Sequence, residues 1–586
     1  MRCLVGQGGR PPGRAGKDAR LLGWLVGRAA GGHHAEWAGL IKHCVAHHVT
    51  YNFYAQGSCP FCPMGGPPLQ RSSSGEEDWD RNYKGGTALV LKSRANKQKR
   101  KRVTSVVSWT TRKLLGLEVE PPEAMPSDNC IYSINLHFPP KAEVLAFLDH
   151  QGRRPQRQAL AVVNFGNEED PNITEYVVGP LPKPTYHQDI TVEKYGGKLP
   201  YYRRFLSGRD RDIINTLFMR EEYPKAPNFM RQVFDYNEND FFLLPGLPPG
   251  FKSGDRNVWM THFQNVSGSY SHPVGLELEV DISSLDTSQW KVLNVFYNGQ
   301  YFEDMEDLER QFNEGRVRVA KVKKAPHDGG FSSLKPRVPP EWPGPLQYEP
   351  RGPRYCVRDN QVTFMSWSFA FGMEVNRGPR LFDVRFEGER IAYELSVQDA
   401  ASLYGSNSPA TMDAIYMDLG FALGRDAVTL TRGVDCPYLA TYLDRHYMHE
   451  SALPITRQNS ICIFEQNAAI PIRRHYDQSD PKFYGGLVDS VLVFRAISTM
   501  VNYDYVWDFV FHQNGAVGVK IHATGYFFSS FFFDDAADFG NRVQEFTLGT
   551  MHTHNIHYKA DLDVGERLME EEKCRLLSTS SFLDSL

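Results

Sequence analysis

The sequence predicts two small α+β units followed by a large antiparallel β-sandwich, and three features lead there. Apolar and polar residues alternate with period two in several short segments, the mark of half-buried strands. Those strands are interleaved with short helical patterns only in the first half. After a Pro/Gly-rich stretch at about 325–355, strand segments separated by Gly, Asn and Pro turns take over, as in a sandwich. The chain has 586 residues, 41% hydrophobic and 12% aromatic, enough for several cores.

Residues 1–112 are rich in Gly, Arg, Pro and Ser and include the basic run Lys97–Arg102. That composition buries little apolar surface and predicts a largely disordered leader. His43, Cys44, His47, His48, Cys59 and Cys62 carry zinc-type side chains, but a second Cys/His pair at finger spacing is missing. The basic run fits a solvated linker better than a nuclear signal or anion patch. Order is expected from near Pro126, within a first unit at 113–185. Ile131 to Phe138 alternates as a strand, Lys141 to Leu148 reads as a helix, and Ala159 to Asn164 and Ile173 to Val178 read as strands. A second unit at 186–320 holds a helix over Arg209 to Arg220, strands over Gly275 to Val280 and Trp290 to Tyr297, and a helix over Met305 to Phe312. Residues 321–355 form a linker with polyproline character. In the sandwich, 356–564, the clearest hairpin joins Tyr505–Phe511 to Val517–His522 through Asn514-Gly515, a pair suited to a turn with φ > 0 at both central residues.

The net charge of -4 and pI near 6.6 argue against nucleic acid as a partner of the whole chain. No apolar run reaches the ~20 residues of a membrane span, and the start has no compact apolar signal core. Against that, Asn172-Ile173-Thr174 and Asn265-Val266-Ser267 are glycosylation acceptors, of use only in the secretory path. The nine cysteines do not reveal their pairing.

Two short segments could carry chemistry. His552-Thr553-His554 lies on a predicted strand, where residues two apart share a face and both imidazoles can reach one ion. His557 has the opposite parity. The plain alternative is a pair of surface histidines. Thr499-Met500-Val501-Asn502-Tyr503-Asp504-Tyr505 places Tyr503 and Tyr505 on one strand face, where packed core tyrosines are the plain alternative.

Together these segments resemble the copper-containing primary amine oxidases, closest to the vertebrate membrane-type and retina-type enzymes, from about Pro126 to about Val564. In that family Thr-x-x-Asn-Tyr-(Asp/Glu)-Tyr precedes His-x-His, and copper and O2 oxidise the middle tyrosine to topaquinone. The resemblance implies that Tyr503 is the quinone precursor and that a primary amine condenses with it as a Schiff base. Aldehyde, ammonia and hydrogen peroxide are the implied products. It assigns Asp418 as the base, Tyr404 as hydrogen-bond partner of the quinone, and Asn502 of the motif as a further catalytic residue. Tyr416 and Val501 would border the substrate channel. His552 and His554 would bind copper. Asp561, the Leu562 carbonyl and Asp563 would form part of a calcium site, hard oxygens suiting that ion. Cys436 and Cys462 would pair, Asn172 and Asn265 would be glycosylated, and the protein would be a homodimer at the plasma membrane or outside the cell. A base in an apolar pocket should have a raised pKa.

The match stops near Val564, and 565–586 form a charged, Ser-rich tail without histidine. The family's third copper histidine lies beyond that point, so the expected fold is a C-terminally truncated sandwich with two of three copper ligands. Three readings follow: an amine oxidase, an inactive truncated isoform that binds the full-length oxidase, and an adhesive sandwich without redox chemistry.

Overall fold

The computed structural model describes residues 49–53, 107–108, 111–117, 119–250, 252–326, 349–412, 414–479 and 482–563. All belong to one compact unit, His47–Leu586. Most of the predicted leader with its Cys/His cluster and basic run, the core of the Pro/Gly linker, and the tail lie outside the described residues.

Regular structure begins before Pro126. Residues 111–115 are helical, and a 3-10 turn covers Pro121–Glu123. Val107 and Leu117 are buried with Ile131, Ile134, Ala161 and Val163. Val107 and Leu117 stand close behind the basic run Lys97–Arg102, in a stretch whose polar composition predicts disorder, so the expected start near Pro126 was too late. The first sheet then runs through Asn129–His137, Gln158–Phe165, Asn172–Gly179 and Tyr186–Asp189. The helix Lys141–His150 follows the first strand.

The second unit is a five-stranded sheet of Phe241–Pro245, Asn257–Gln264, Pro273–Asp281, Lys291–Tyr297 and Gln300–Phe302. Ser207 opens its first helix, Gly208–Leu217, with a capping box. The Ser207 hydroxyl accepts from the Asp210 N–H, and Asp210 accepts from the Ser207 N–H. The α-helix ends at Leu217 and passes into a π-turn, Phe218–Glu222, short of the predicted Arg220.

The sandwich packs two sheets face to face. One has Tyr355–Arg358, Gln361–Phe364, Trp367–Glu374, Gly378–Phe386 and Glu389–Tyr404 in order. Ile415–Met417 and His552–Leu562 both pair with Glu389–Tyr404. The other has Thr441–His449, Ile455–Asp477, Phe483–Met500, Tyr503–Phe511 and Val517–Gly525, with Val49–Phe53 paired to the last. It continues into the first unit's sheet through Met448↔Ile134 and His449↔Ser133. Their shared core holds Trp367, Phe369, Leu381, Phe494, Phe509 and Phe511. Phe511 stacks on Phe369 with centroids 4.2 Å apart. Phe511→Ala leaves a cavity where both sheets meet and is expected to cost about 3–5 kcal/mol, read from denaturant unfolding.

The predicted hairpin forms, but with another turn. Phe511 pairs with Val517, so His512–Ala516 form the loop, closed by the His512 N–H donating to Ala516 O at 2.9 Å. Only Gly515 has positive φ (86°). The Asn514 side chain instead accepts from the Ala516 N–H.

Candidate active site

The residues predicted for the quinone, the base and copper meet between the two sheets. Strand pairing sets their spacing. In the hairpin of Phe483–Met500 with Tyr503–Phe511, Met500 faces Tyr503, Thr499 faces Asp504 and Ser498 faces Tyr505. Val501 and Asn502 make the turn, and Val501 sits at φ 54°. A β-branched residue rarely adopts that backbone. Thr499 Oγ1 donates to Asp504 Oδ1 across the hairpin at 2.5 Å. That bond explains the interval between Thr499 and Asp504 in the motif. Asn502 is locked on Tyr526: its side-chain nitrogen donates to Tyr526 O (2.8 Å), and the Tyr526 N–H donates to Asn502 O (2.7 Å). Gly525, opposite Tyr503, has φ 101°, and a Cβ there would lie 2.6 Å from Asn502 O. Only glycine lets the two backbones approach this closely.

The second wall is the strand His552–Leu562. His552 and His554 alternate with exposed Thr553 and Asn555, and His557 falls on the exposed face. His552 pairs with Tyr404 and His554 with Ser402. The Tyr404 ring stacks on His552 (4.7 Å, 17°), and the Tyr503 ring stacks on His554 (4.5 Å, 12°). The two imidazole centroids are 5.0 Å apart. Each ring is held through Nδ1. His552 Nδ1 lies 2.9 Å from Thr550 O, and His554 Nδ1 lies 2.8 Å from Tyr505 Oη and 3.0 Å from Ser402 Oγ. An Nδ1 bonded in this way would leave Nε2 as the nitrogen able to face a metal. The pair therefore fits two positions of a copper shell. Among the described residues no group of three His, Cys, Asp or Glu side chains could hold a metal ion.

Asp418 begins the short helix Asp418–Phe421, right after the strand Ile415–Met417, and is 5% exposed. Burial pushes its carboxyl from 3.8 up to about 7, opposed by the Tyr505 hydrogen bond (2.9 Å) and reinforced by Asp399. The segment ahead of it is anchored on the second unit. Glu277 accepts the Ala410 N–H at 2.8 Å, and Tyr416 Oη donates to Pro245 O at 3.0 Å. Tyr404 hydrogen-bonds Asn502. With Tyr416 and Phe528 it forms an aromatic wall, its ring 5.6 and 5.3 Å from theirs. Burial, then neighbouring Tyr416, Asp418 and Tyr503, keep the Tyr404 phenol protonated.

A sequence profile described as copper amine oxidase, enzyme domain, matches residues 356–578, and one described as the copper amine oxidase N2 domain matches 94–187. The chain belongs to the copper amine oxidase family. A further profile of a domain of unknown function matches 271–343. The chain is 49% identical over 472 residues to a primary amine oxidase, lung isozyme, of Bos taurus, covering 80% of this chain and 62% of that protein. It is 46% identical over 469 residues to human amine oxidase (copper-containing) 2, covering 79% and 62%. Among solved structures it is similar to the lysyl oxidase of Pichia pastoris, with TM-score 0.72 and 26% identity over 79% of this chain and 65% of that one. The chain thus spans less than two thirds of the length of these relatives.

The amine oxidase fold brings Tyr503, Asp418, Tyr404, Asn502, Tyr416, His552 and His554 into one place. Val501 sits at the turn beside them, 36% exposed. Cys436 and Cys462 form a disulfide. Asp561 and Asp563 lie elsewhere, and their company was not foreseen. Lys141 Nζ sits between them, 2.7 Å from Asp561 Oδ1 and 2.8 Å from Asp563 Oδ1. An ion bound there would compete with this ammonium, so the donor set as it stands does not fit calcium. Sequence reading also missed Tyr505, Ser402 and Gly525. For Tyr505 the signal was present: it has the same strand parity as Tyr503.

Proposed function

We propose that this chain carries out oxidative deamination of primary amines to aldehyde, ammonia and hydrogen peroxide, using O2, at a quinone derived from Tyr503. The observation that carries the reading is the stacking of Tyr503 on His554, whose Nδ1 shares the Tyr505 hydroxyl with a buried Asp418. His552 and His554 would hold copper through Nε2. The quinone, when present, supplies the electrophilic carbonyl that no unmodified side chain has.

The chain's own residues do the rest. Asp418, ionised near neutral pH, takes the proton from the substrate carbon next to nitrogen. Tyr404, fixed by Asn502 and the His552 ring, orients the ring of residue 503. Tyr416 and Phe528 keep water from the reacting carbon, and Val501 borders the way in. The test is to incubate the purified chain with copper and O2, then stain for quinone and measure the mass of the Tyr503 peptide. Staining with peroxide release on benzylamine supports the proposal; an unchanged Tyr503 peptide overturns it.

A second reading is an inactive chain that binds a full-length oxidase, favoured by the pair of imidazoles where copper calls for more donors. The outer part of the hairpin Ile455–Asp477/Phe483–Met500 supports association with another copy. It projects Ile470, Phe483, Tyr484 and Val488, each at least half exposed. Changing these four to serine is expected to shift the chain toward monomer in light scattering without lowering its melting temperature, because none contributes to the core. The disulfide and the half-buried Asn172 and exposed Asn265 favour the secretory path. No helix among the described residues is long and apolar enough to cross a membrane.

A further inference from the structure

Tyr505 is buried at 1% exposure, between the proposed base and a proposed copper ligand, and has no assigned role. Its phenol oxygen touches three groups. It donates to Asp418 Oδ2 at 2.9 Å, lies 2.8 Å from His554 Nδ1, and lies 3.3 Å from Ser402 Oγ. A phenol has one proton to give. With that proton on the Asp418 carboxylate, the oxygen can only accept from His554, so Nδ1 carries the imidazole hydrogen. The chain of donation runs His554 Nδ1–H to Tyr505, then Tyr505 O–H to Asp418. Tyr505 cannot swing aside, because Trp507 stacks on one side of its ring (5.3 Å) and Tyr503 meets it edge-on (5.2 Å). Ser498, opposite it in the neighbouring strand, is buried and fixed by Leu423 O and the Trp507 indole.

We infer that Tyr505 is a positioning residue that aims the Asp418 carboxylate and fixes His554 as its Nδ1–H tautomer, so that one hydroxyl ties the base to the metal ligand. The inference deepens the amine oxidase reading and rests on it for the roles of Asp418 and His554, but the hydrogen-bond chain exists without copper or quinone. When Asp418 is ionised, the phenol stabilises it. When Asp418 has taken a proton, that contact weakens, and the change reaches His554 through the same oxygen. The base and the metal ligand are then coupled in a way that neither residue's spacing reveals.

The test uses the full metal-free chain with carboxyl-labelled aspartate and ring-labelled histidine, so its outcome does not depend on Tyr503 conversion. Tyr505→Phe keeps the ring and its packing but removes the hydroxyl. It is expected to raise the Asp418 titration midpoint by about one pH unit, the scale of one hydrogen bond to a carboxylate. The His554 nitrogen signals should move from a single Nδ1–H pattern to a mixture of tautomers. Ser402→Ala should leave the Asp418 midpoint where it was. A Tyr505→Phe chain that melts like the parent, with the Asp418 midpoint and His554 tautomer unchanged, overturns the inference. If Tyr505→Phe lowers the melting temperature, Tyr505→Phe/Ser402→Ala and Ser402→Ala are compared at a temperature where both are folded: an Asp418 midpoint higher in the double variant supports the role, and equal midpoints refute it. Failure of the parent chain to stain for quinone would count against the proposed activity and leave these readouts standing.

Discussion

Asp418→Asn is expected to lower amine turnover by roughly 10²–10⁴-fold, the usual contribution of a positioned base. Asparagine keeps the size of the side chain and can still accept from Tyr505, but it cannot take a proton. The acid limb of kcat/KM in the parent should follow the carboxyl near pH 7, because the base must be ionised to act. In the variant that limb should disappear. Stability should move the other way. The folded-state pKa of Asp418 lies above its ordinary value of 3.8, so between pH 3.8 and about 7 the folded chain binds the proton more tightly. Burial of this group therefore favours folding at low pH, and that advantage is lost as pH rises through the window. A folded-state midpoint one pH unit above the unfolded one corresponds to about 1.4 kcal/mol, so Asp418→Asn is expected to unfold at higher denaturant than the parent at pH 8. A variant that is slower but equally stable at pH 8 would show that the carboxyl titrates in its ordinary range.

Tyr503→Phe is expected to abolish quinone staining and amine oxidation outright while leaving copper affinity within a few fold. The phenylalanine ring can still stack on His554, and the Nδ1 contacts of both histidines come from Thr550, Tyr505 and Ser402, none of which involves residue 503. Copper affinity read by competition with a chromophoric chelator separates the two effects. Tight copper binding with no stain places the chemistry at residue 503. Loss of both would instead mean that the tyrosine hydroxyl helps hold the metal.

The site was legible where local rules apply and illegible where pairing decides. Period two alone placed His552 and His554 on one face, and the structure puts His557 on the other. The alternation of Ile131 to Phe138 marked a strand, but its burial does not alternate: Ile131, Ser133 and Ile134 are all buried, and the register shifts between Ile131 and Ser133. The hairpin at Asn514-Gly515 was visible as a turn, but its length was not. The His512–Ala516 bond fixes the loop, and no composition rule encodes it. Ser402 and Tyr404 reach the histidines only through the register of Glu389–Tyr404 against His552–Leu562, more than a hundred positions away in the chain. Tyr505 stands in the motif with Tyr503, and its strand parity fits a core residue as well; that its buried hydroxyl is shared by Asp418 and His554 follows only from the fold.

Lys141 opens the first unit's helix, yet its ammonium ends between two carboxylates of the sandwich's last described strand and the residue after it. Arg390 and Arg385 both bond Asp149 near the other end of that helix. The joint between the small unit and the sandwich is thus riveted at both ends of one helix by the chain's own cations. A divalent ion at that place could be washed out; a lysine cannot. Dialysis against EDTA, which should strip the histidine pair of copper, is therefore expected to leave the melting temperature and protease resistance of this joint unchanged, whereas Lys141→Met should make the same joint the first place a protease cuts.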